Sequence, residues 1–421
     1  MRPPTYLVTC KGLYCCPAFT FCSLETRELL PLPIMAQVVV LSSLWRYFHK
    51  IVIAGILLCL LLWILIYYSS NSISKSSSSL SKTEFVHVHD FLENKDSDVK
   101  PKSEIATTLP LINESFISES EKFWEISQDQ GEDDIFVLIP LTNARVNRNL
   151  QTKFEVCVSS MSHLSSAVIH LYVIGDQDSR NIARSFVATI SKQNVKLTLL
   201  DIDVLAKQMD KLIRVMQQHF TYNADSYYSQ TLFFLSTFMH VLTPRSLHRL
   251  IMLDADLQFR ADVKHLNELF RQFAPGNVIG IAYEMQPVYR HVLAKYRQAH
   301  PETPAGAPKP SGNPGFNSGV LLLNLDEMRL SQQYNSLLSA DVVQKLAEKY
   351  AFKGHLADQD FYTLISLEHM ELFYVLPCTW NRQLCQWWRD KGYEDVFDHY
   401  FSCEGDVNIY HGNCNTPFPS P

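Results

Sequence analysis

Asp254 and Asp256, separated by Ala255, close the apolar run RLIMLDADLQF from Arg249 to Phe259. Alternate side chains of an extended strand share a face, so two carboxylates at this spacing can address one hard divalent cation, provided the chain does not turn between them. A cation held there can bridge to a pyrophosphate and neutralise the charge that builds on it as it leaves. Aspartates are also common in solvated turns after strands, so the pair takes its weight from what accompanies it.

Three further segments accompany it. PGFNSGVLLLNL, Pro314 to Leu325, sends a turn containing Gly, Asn and Ser into an apolar strand, where glycine lets backbone approach a ligand. GHLADQDFYTLI, Gly354 to Ile365, sets Asp358, Gln359 and Asp360 at the start of a helix, where polar side chains cap and can face a pocket. NIYHGNCNTP, Asn408 to Pro417, offers His411 after a short strand-like run, and its imidazole suits a manganese-like ion.

Short apolar runs alternating with helical stretches must position these groups. IFVLIPL (Ile135 to Leu141), IHLYVIG (Ile169 to Gly175) and VKLTLLDI (Val195 to Ile202) read as strands, with helices expected from Leu150 to about Leu164 and from Asp178 to Ser191. This is the α/β alternation of a parallel sheet, whose ligands sit at the carboxyl ends of the strands. The Pro- and Gly-rich stretch PETPAGAPKPSGNP, Pro301 to Pro314, reads as a loop rather than a linker, because motifs of one set flank it.

The 421 residues divide by composition into an N-terminal segment 1–50, an uncharged run IVIAGILLCLLLWILIYY over 51–68, a polar stretch over 69–132 and a catalytic domain over 133–421. The uncharged run is about long enough to cross a bilayer. Arg46, His49 and Lys50 precede it, which predicts a cytosolic N-terminus and a single-pass type II anchor with the bulk of the chain in a secretory lumen. The polar stretch suits a flexible stem and carries the sequon Asn113-Glu114-Ser115, an expected glycosylation site. Cys378, Cys403, Cys385 and Cys414 crowd the lumenal end and are expected to form two disulfides whose connectivity the spacing leaves open. A net charge of -6 offers no basic surface for nucleic acid. No C-terminal retrieval signal is present.

The ordered set DAD, GFNSGVLLLNL, ADQDF and a C-terminal HG motif resembles glycosyltransferase family 8, whose members are retaining enzymes of the GT-A fold, a Rossmann-like mixed sheet flanked by helices. MQPVYRH (Met285 to His291), CTWNRQLCQWWRD (Cys378 to Asp390) and IYHGNCNTP are similar to a xylose-transferring branch of that family. The resemblance covers roughly Ile135 to Pro417. It implies that Asp254, Asp256 and His411 hold Mn2+, with Mg2+ as the other hard cation. It also implies that Leu141, Thr142, Asn143, Ala255, Asn317, Ser318, Leu356, Gln359 and Gly412 line a UDP-xylose donor. Gln359 then lies nearest the anomeric carbon, Asp360 near the sugar hydroxyls, and Leu356 where a hexose hydroxymethyl group would have to go. Trp388 and Asn413 are the acceptor-side residues, and the acceptor is the xylosyl-glucose O-glycan of EGF-like repeats in Notch-type glycoproteins. The branch implies residence in the endoplasmic reticulum, with the Golgi as alternative, and a homodimer is left open. Many family members end in HxxGxxK, whereas His411-Gly412-Asn413-Cys414-Asn415-Thr416-Pro417 has no lysine.

Retention without a carboxylate nucleophile favours front-face substitution, since the Gln359 amide is a poor nucleophile. The competing readings are a related transferase with another donor or acceptor, such as a glucoside xylosyltransferase or a hexosyltransferase, and an inactive lumenal binding protein. Arg382 and Arg389 read as structural ion-pair partners.

Overall fold

The computed structural model describes residues 123–124, 134–221 and 231–419, leaving aside the side chains of 208–212 and 215. All of them fall in one compact unit, Ser103–Pro421. The N-terminal segment, the apolar run over 51–68 and the sequon at Asn113 lie outside the described residues. Among the described residues no helix is long and apolar enough to cross a membrane.

Seven strands form the central sheet: β1 (Ile135–Pro140), β2 (Ile169–Gly175), β3 (Val195–Asp201), β4 (Arg249–Leu253), β6 (Ile279–Tyr283), β7 (Phe316–Asn324) and β8 (Phe373–Leu376), in the order β3-β2-β1-β4-β7-β6-β8. The short strands β5 (Leu257–Phe259), β9 (Arg382–Gln383) and β10 (Ile409–His411) make a second sheet in the order β5-β10-β9.

The central strands of the large sheet are buried on both faces, which is why they read as continuous apolar runs. Along β1, Ile135, Val137 and Ile139 join one core cluster and Leu138 the other; along β7, Val320 and Leu322 face one side and Leu321 and Leu323 the other. Helices α1 (Arg148–Leu164) and α2 (Gln177–Val187) cover the first face through Phe154, Cys157, Val158, Met161 and Ala183. Helices α3 (Ile202–Phe220), α4 (Leu235–Leu242) and α5 (Asp358–Ser366) cover the second through Met216, Phe220, Phe238, Met239, Phe361 and Ile365. Local chemistry starts the first three: Asn147, Asp176 and Asp201 accept backbone N–H groups of Leu150, Ser179 and Asp203 at 2.9 to 3.1 Å.

Three sequence expectations are corrected. The sheet is mixed, as the family resemblance implies and not parallel as the strand and helix alternation alone suggests, because β7 runs antiparallel to both β4 and β6. Reversing β7 brings its start, Phe316 to Ser318, to the carboxyl ends of its neighbours, with Asn317 opposite Ala282. The run Arg249 to Phe259 is not one extended strand: it bends over Asp254 to Asp256, and its two halves belong to different sheets. Trp124, within the stretch read as stem, is fully buried, donates its indole N–H to the Leu242 carbonyl at 2.7 Å and packs on Tyr172, so the packed unit reaches back across that boundary.

Candidate active site

The bend after β4 turns both carboxylates toward His411. Strand β10 pairs antiparallel with β5 so that His411 stands opposite Leu257, next to Asp256. The Nε2 of His411 lies 3.4 Å from Asp254 Oδ2 and 3.3 Å from Asp256 Oδ1. One ligand atom from each residue falls within 4.8 Å of the others, close enough for one ion. Two backbone bonds fix the bend: Asp254 N–H donates to the Gly319 carbonyl at 2.9 Å, and Gly412 N–H to the Asp256 carbonyl at 2.8 Å.

The donor set fits a divalent cation. Nδ1 of His411 donates to Asn381 Oδ1 at 2.9 Å, which leaves Nε2 directed at the carboxylates, the arrangement by which outer hydrogen bonds orient a metal-binding imidazole. Burial opposes a charge on His411, yet the Asp256 and Asp254 carboxylates outweigh it and lift its pKa to about 10. His411 carries the Asp256 carboxyl below the usual carboxylate range against its burial. Binding of a cation here would require the imidazole to give up its Nε2 proton.

A chain of amides runs from this cluster to Gln359. Asn381 Nδ2 donates to Asn317 Oδ1 at 2.9 Å, and Asn317 Nδ2 to Glu284 Oε2 at 3.1 Å. Gln359 Nε2 donates to the same Glu284 oxygen at 3.3 Å, and Ser318 N–H donates to Gln359 Oε1 at 3.3 Å. Every donor direction converges on Glu284, whose other oxygen accepts Gln286 N–H at 3.1 Å. Burial pushes the Glu284 carboxyl up to about 7, against those hydrogen bonds.

Helix α5 follows Ala357, which has φ of 55°, and its first turn points inward. Asp358 accepts from Ser318 Oγ at 3.0 Å and from Ser236 Oγ. Asp360 is fully buried and accepts Tyr289 OH at 2.9 Å and Leu356 N–H at 2.5 Å, so it holds the segment that presents half-buried Leu356.

At the exit of β1, Leu141 is buried and Thr142 half-buried, while Asn143, with φ of 58°, donates its N–H to Asp176 Oδ2 at 2.7 Å. Ala255 is buried in the bend. The disulfides are Cys378–Cys403 and Cys385–Cys414; among the described residues Cys157 is the free cysteine. Asn413 Oδ1 accepts the N–H groups of Leu384 and Cys385 at 3.1 and 2.9 Å. Trp388 is half-buried against His291 and Tyr393, and Trp387 is 56% exposed. Arg389 pairs with Asp398 at 2.7 Å, as an ion-pair role requires, whereas Arg382 donates to the Phe401 carbonyl and stacks on its ring instead.

Glu284, Asn381 and Lys153 are the site residues that sequence reasoning missed. Glu284 had a usable signal, since it follows the apolar strand β6 as Asp254 follows β4. Asn381 lay unread inside CTWNRQ. Lys153 occupies a buried position on α1 beside the apolar stripe of Phe154, Cys157 and Met161.

A mixed seven-stranded sheet between two helical layers, with an Asp-x-Asp bend and a distant histidine at its carboxyl edge, is a nucleotide-sugar transferase architecture of the GT-A type. Residues 144–398 match the model of glycosyl transferase family 8, and the chain belongs to that family and is a glycosyltransferase. His411 lies beyond the matched residues. The chain is 47% identical over 294 residues to mouse xyloside xylosyltransferase 1, covering 68% of this chain and 75% of that protein. Against the human protein of the same name identity is 46% over 297 residues, covering 69% and 76%. A crystal structure of the mouse protein in its apo form superposes with a TM-score of 0.66 at 48% identity, covering 68% of this chain and 100% of that one.

Proposed function

We propose that the protein transfers xylose, with retention, from UDP-xylose to the xylosyl-glucose O-glycan of EGF-like repeats, using Mn2+ or Mg2+ held by Asp254, Asp256 and His411. The observation that carries this reading is the Gln359 amide, fixed between Glu284 and Ser318 N–H and joined through Asn317 and Asn381 to the His411 imidazole. The 47% identity to a xyloside xylosyltransferase supports the choice of sugar.

Asp254, Asp256 and His411 would hold the divalent ion, which when bound would supply charge neutralisation for the leaving diphosphate. Asn317 and Ser318 stand beside the donor, and Leu141 to Asn143 meet its uridine edge, with Ala255 and Gly412 completing the wall. Gln359 offers an amide oxygen rather than a carboxylate near the anomeric carbon, which favours front-face attack with the departing diphosphate taking the acceptor proton. Leu356 excludes a hexose hydroxymethyl group, and the Asp360 carboxylate holds it in place. Trp388 and Asn413 take the acceptor glycan. The enzyme works in the lumen of the endoplasmic reticulum, anchored by residues 51–68.

Assay of the full-length chain with Mn2+, UDP-xylose, UDP-glucose and UDP-galactose against a xylosyl-glucose acceptor tests the reading. Xylose transfer that is lost in Asp256→Asn is expected. A clear preference for a hexose donor would overturn the donor assignment, and an Asp256→Asn variant of full activity would overturn the metal site.

A further inference from the structure

We propose that Lys153 of α1 is a positioning residue for the metal site, holding Asp256 and the loop after His411 in the geometry that takes the ion. The proposal rests on the reading of Asp254, Asp256 and His411 as metal ligands.

Lys153 is 6% exposed, and a buried ammonium is costly unless its surroundings compensate it. The neighbouring positions Phe154, Cys157 and Met161 are core, so an apolar residue would fill this place at lower cost in stability. What compensates Lys153 is the site itself. Its Nζ donates to the Gly412 carbonyl and lies 3.6 Å from Asp256 Oδ2.

Asp256 is therefore spanned. Its Oδ1 faces His411 Nε2 at 3.3 Å and its Oδ2 faces Lys153, so the carboxylate presents one oxygen to the ion and has the other held from behind. Gly412 is held twice, by its N–H on the Asp256 carbonyl and by its carbonyl on Lys153. One turn earlier on α1, Asn149 Nδ2 donates to Asn415 Oδ1 at 3.2 Å. Cys414 and Asn415 have φ of 54° and 60°, a left-handed pair that this second contact helps hold. Helix α1 thus braces the C-terminal segment that, in this chain, contains no lysine between His411 and Pro417.

The sign of one measurement separates positioning from simple proximity. A cation near a metal site repels the incoming ion, so removing a merely adjacent charge should tighten metal binding. Removing an outer group that orients a ligand weakens it, commonly by about 10- to 100-fold. Mn2+ affinity of the full-length Lys153→Met chain, titrated calorimetrically without nucleotide, is expected to fall about tenfold or more. Lys153→Gln serves the same purpose if the Met variant does not fold. Binding as tight as wild type, or tighter, overturns the proposal while leaving the three-ligand site standing. Absence of Mn2+ binding by the wild-type chain overturns the metal reading and this proposal with it.

Discussion

A methyl group placed on Gly319 would lie 2.3 Å from Cε1 and 2.6 Å from Nδ1 of His411. The glycine in β7 is thus a condition for the histidine in β10: its missing side chain is the space the imidazole fills. Its carbonyl also receives the Asp254 N–H, so one residue sets two of the three candidate ligands.

Gly319→Ala should consequently displace the ring without unfolding the sheet. Mn2+ affinity is expected to fall by roughly tenfold or more. Calorimetric titration checks this, and a variant that binds Mn2+ like wild type would show that the backbone yields instead.

Glu284 ends the amide chain, accepting from both Asn317 and Gln359. In Glu284→Gln one carboxylate oxygen becomes an NH2 group facing an N–H donor, and a buried donor left unsatisfied costs about 1–3 kcal/mol. Steady-state kinetics should show kcat falling about tenfold, with KM for the donor changing less, because Gln359 loses its fixed orientation. Equal kcat in the two proteins would remove Glu284 from the site.

Burial pushes the Asp358 carboxyl from 3.8 up to about 7, against hydrogen bonds from Ser236 and Ser318. The folded chain holds this proton at pH values where the unfolded chain has released it. The associated stability is present below about pH 4 and is lost as pH rises through 7. Both partners are hydroxyls that can reverse direction, so Asp358→Asn keeps its hydrogen bonds and removes the charge. At pH 8, without metal, the variant should melt about 2–4 °C above wild type, and the difference should shrink toward pH 5. A difference that does not change with pH would refute the assignment.

The two disulfides separate by consequence. Cys385–Cys414 spans 29 residues and ends in the loop braced by Lys153 and Asn149, whereas Cys378–Cys403 spans 25 and starts just after β8. Loops of this length predict about 3–4 kcal/mol each. The double variant Cys385→Ala, Cys414→Ala should lose Mn2+ affinity as well as stability, and Cys378→Ala with Cys403→Ala stability first. Melting curves with and without Mn2+ distinguish them.

Much of the architecture was legible because it is local. Apolar runs marked β1, β2 and β3, and the motifs around Asp254 and Gln359 lie within the residues that match the family. Four clustered C-terminal cysteines announced two bridges, but which sulfurs meet depends on how the segments after β8 fold back, and no spacing contains that. The bend at Asp254-Ala255-Asp256 was not readable either, because an apolar residue on each side fits one strand as well as two. What bends it is β5 leaving to pair with β10, a strand from the far end of the chain.

The sequence by itself determined the residue types that can bind a cation and a nucleotide sugar, since chemistry follows from side chains and their order. Only the tertiary structure decided that Glu284, Asn381 and Lys153 stand behind those residues. Their contacts join β6, the Cys378–Asn381 turn and α1 to segments far away in the chain, and such pairings are set by packing of the whole sheet rather than by any local pattern.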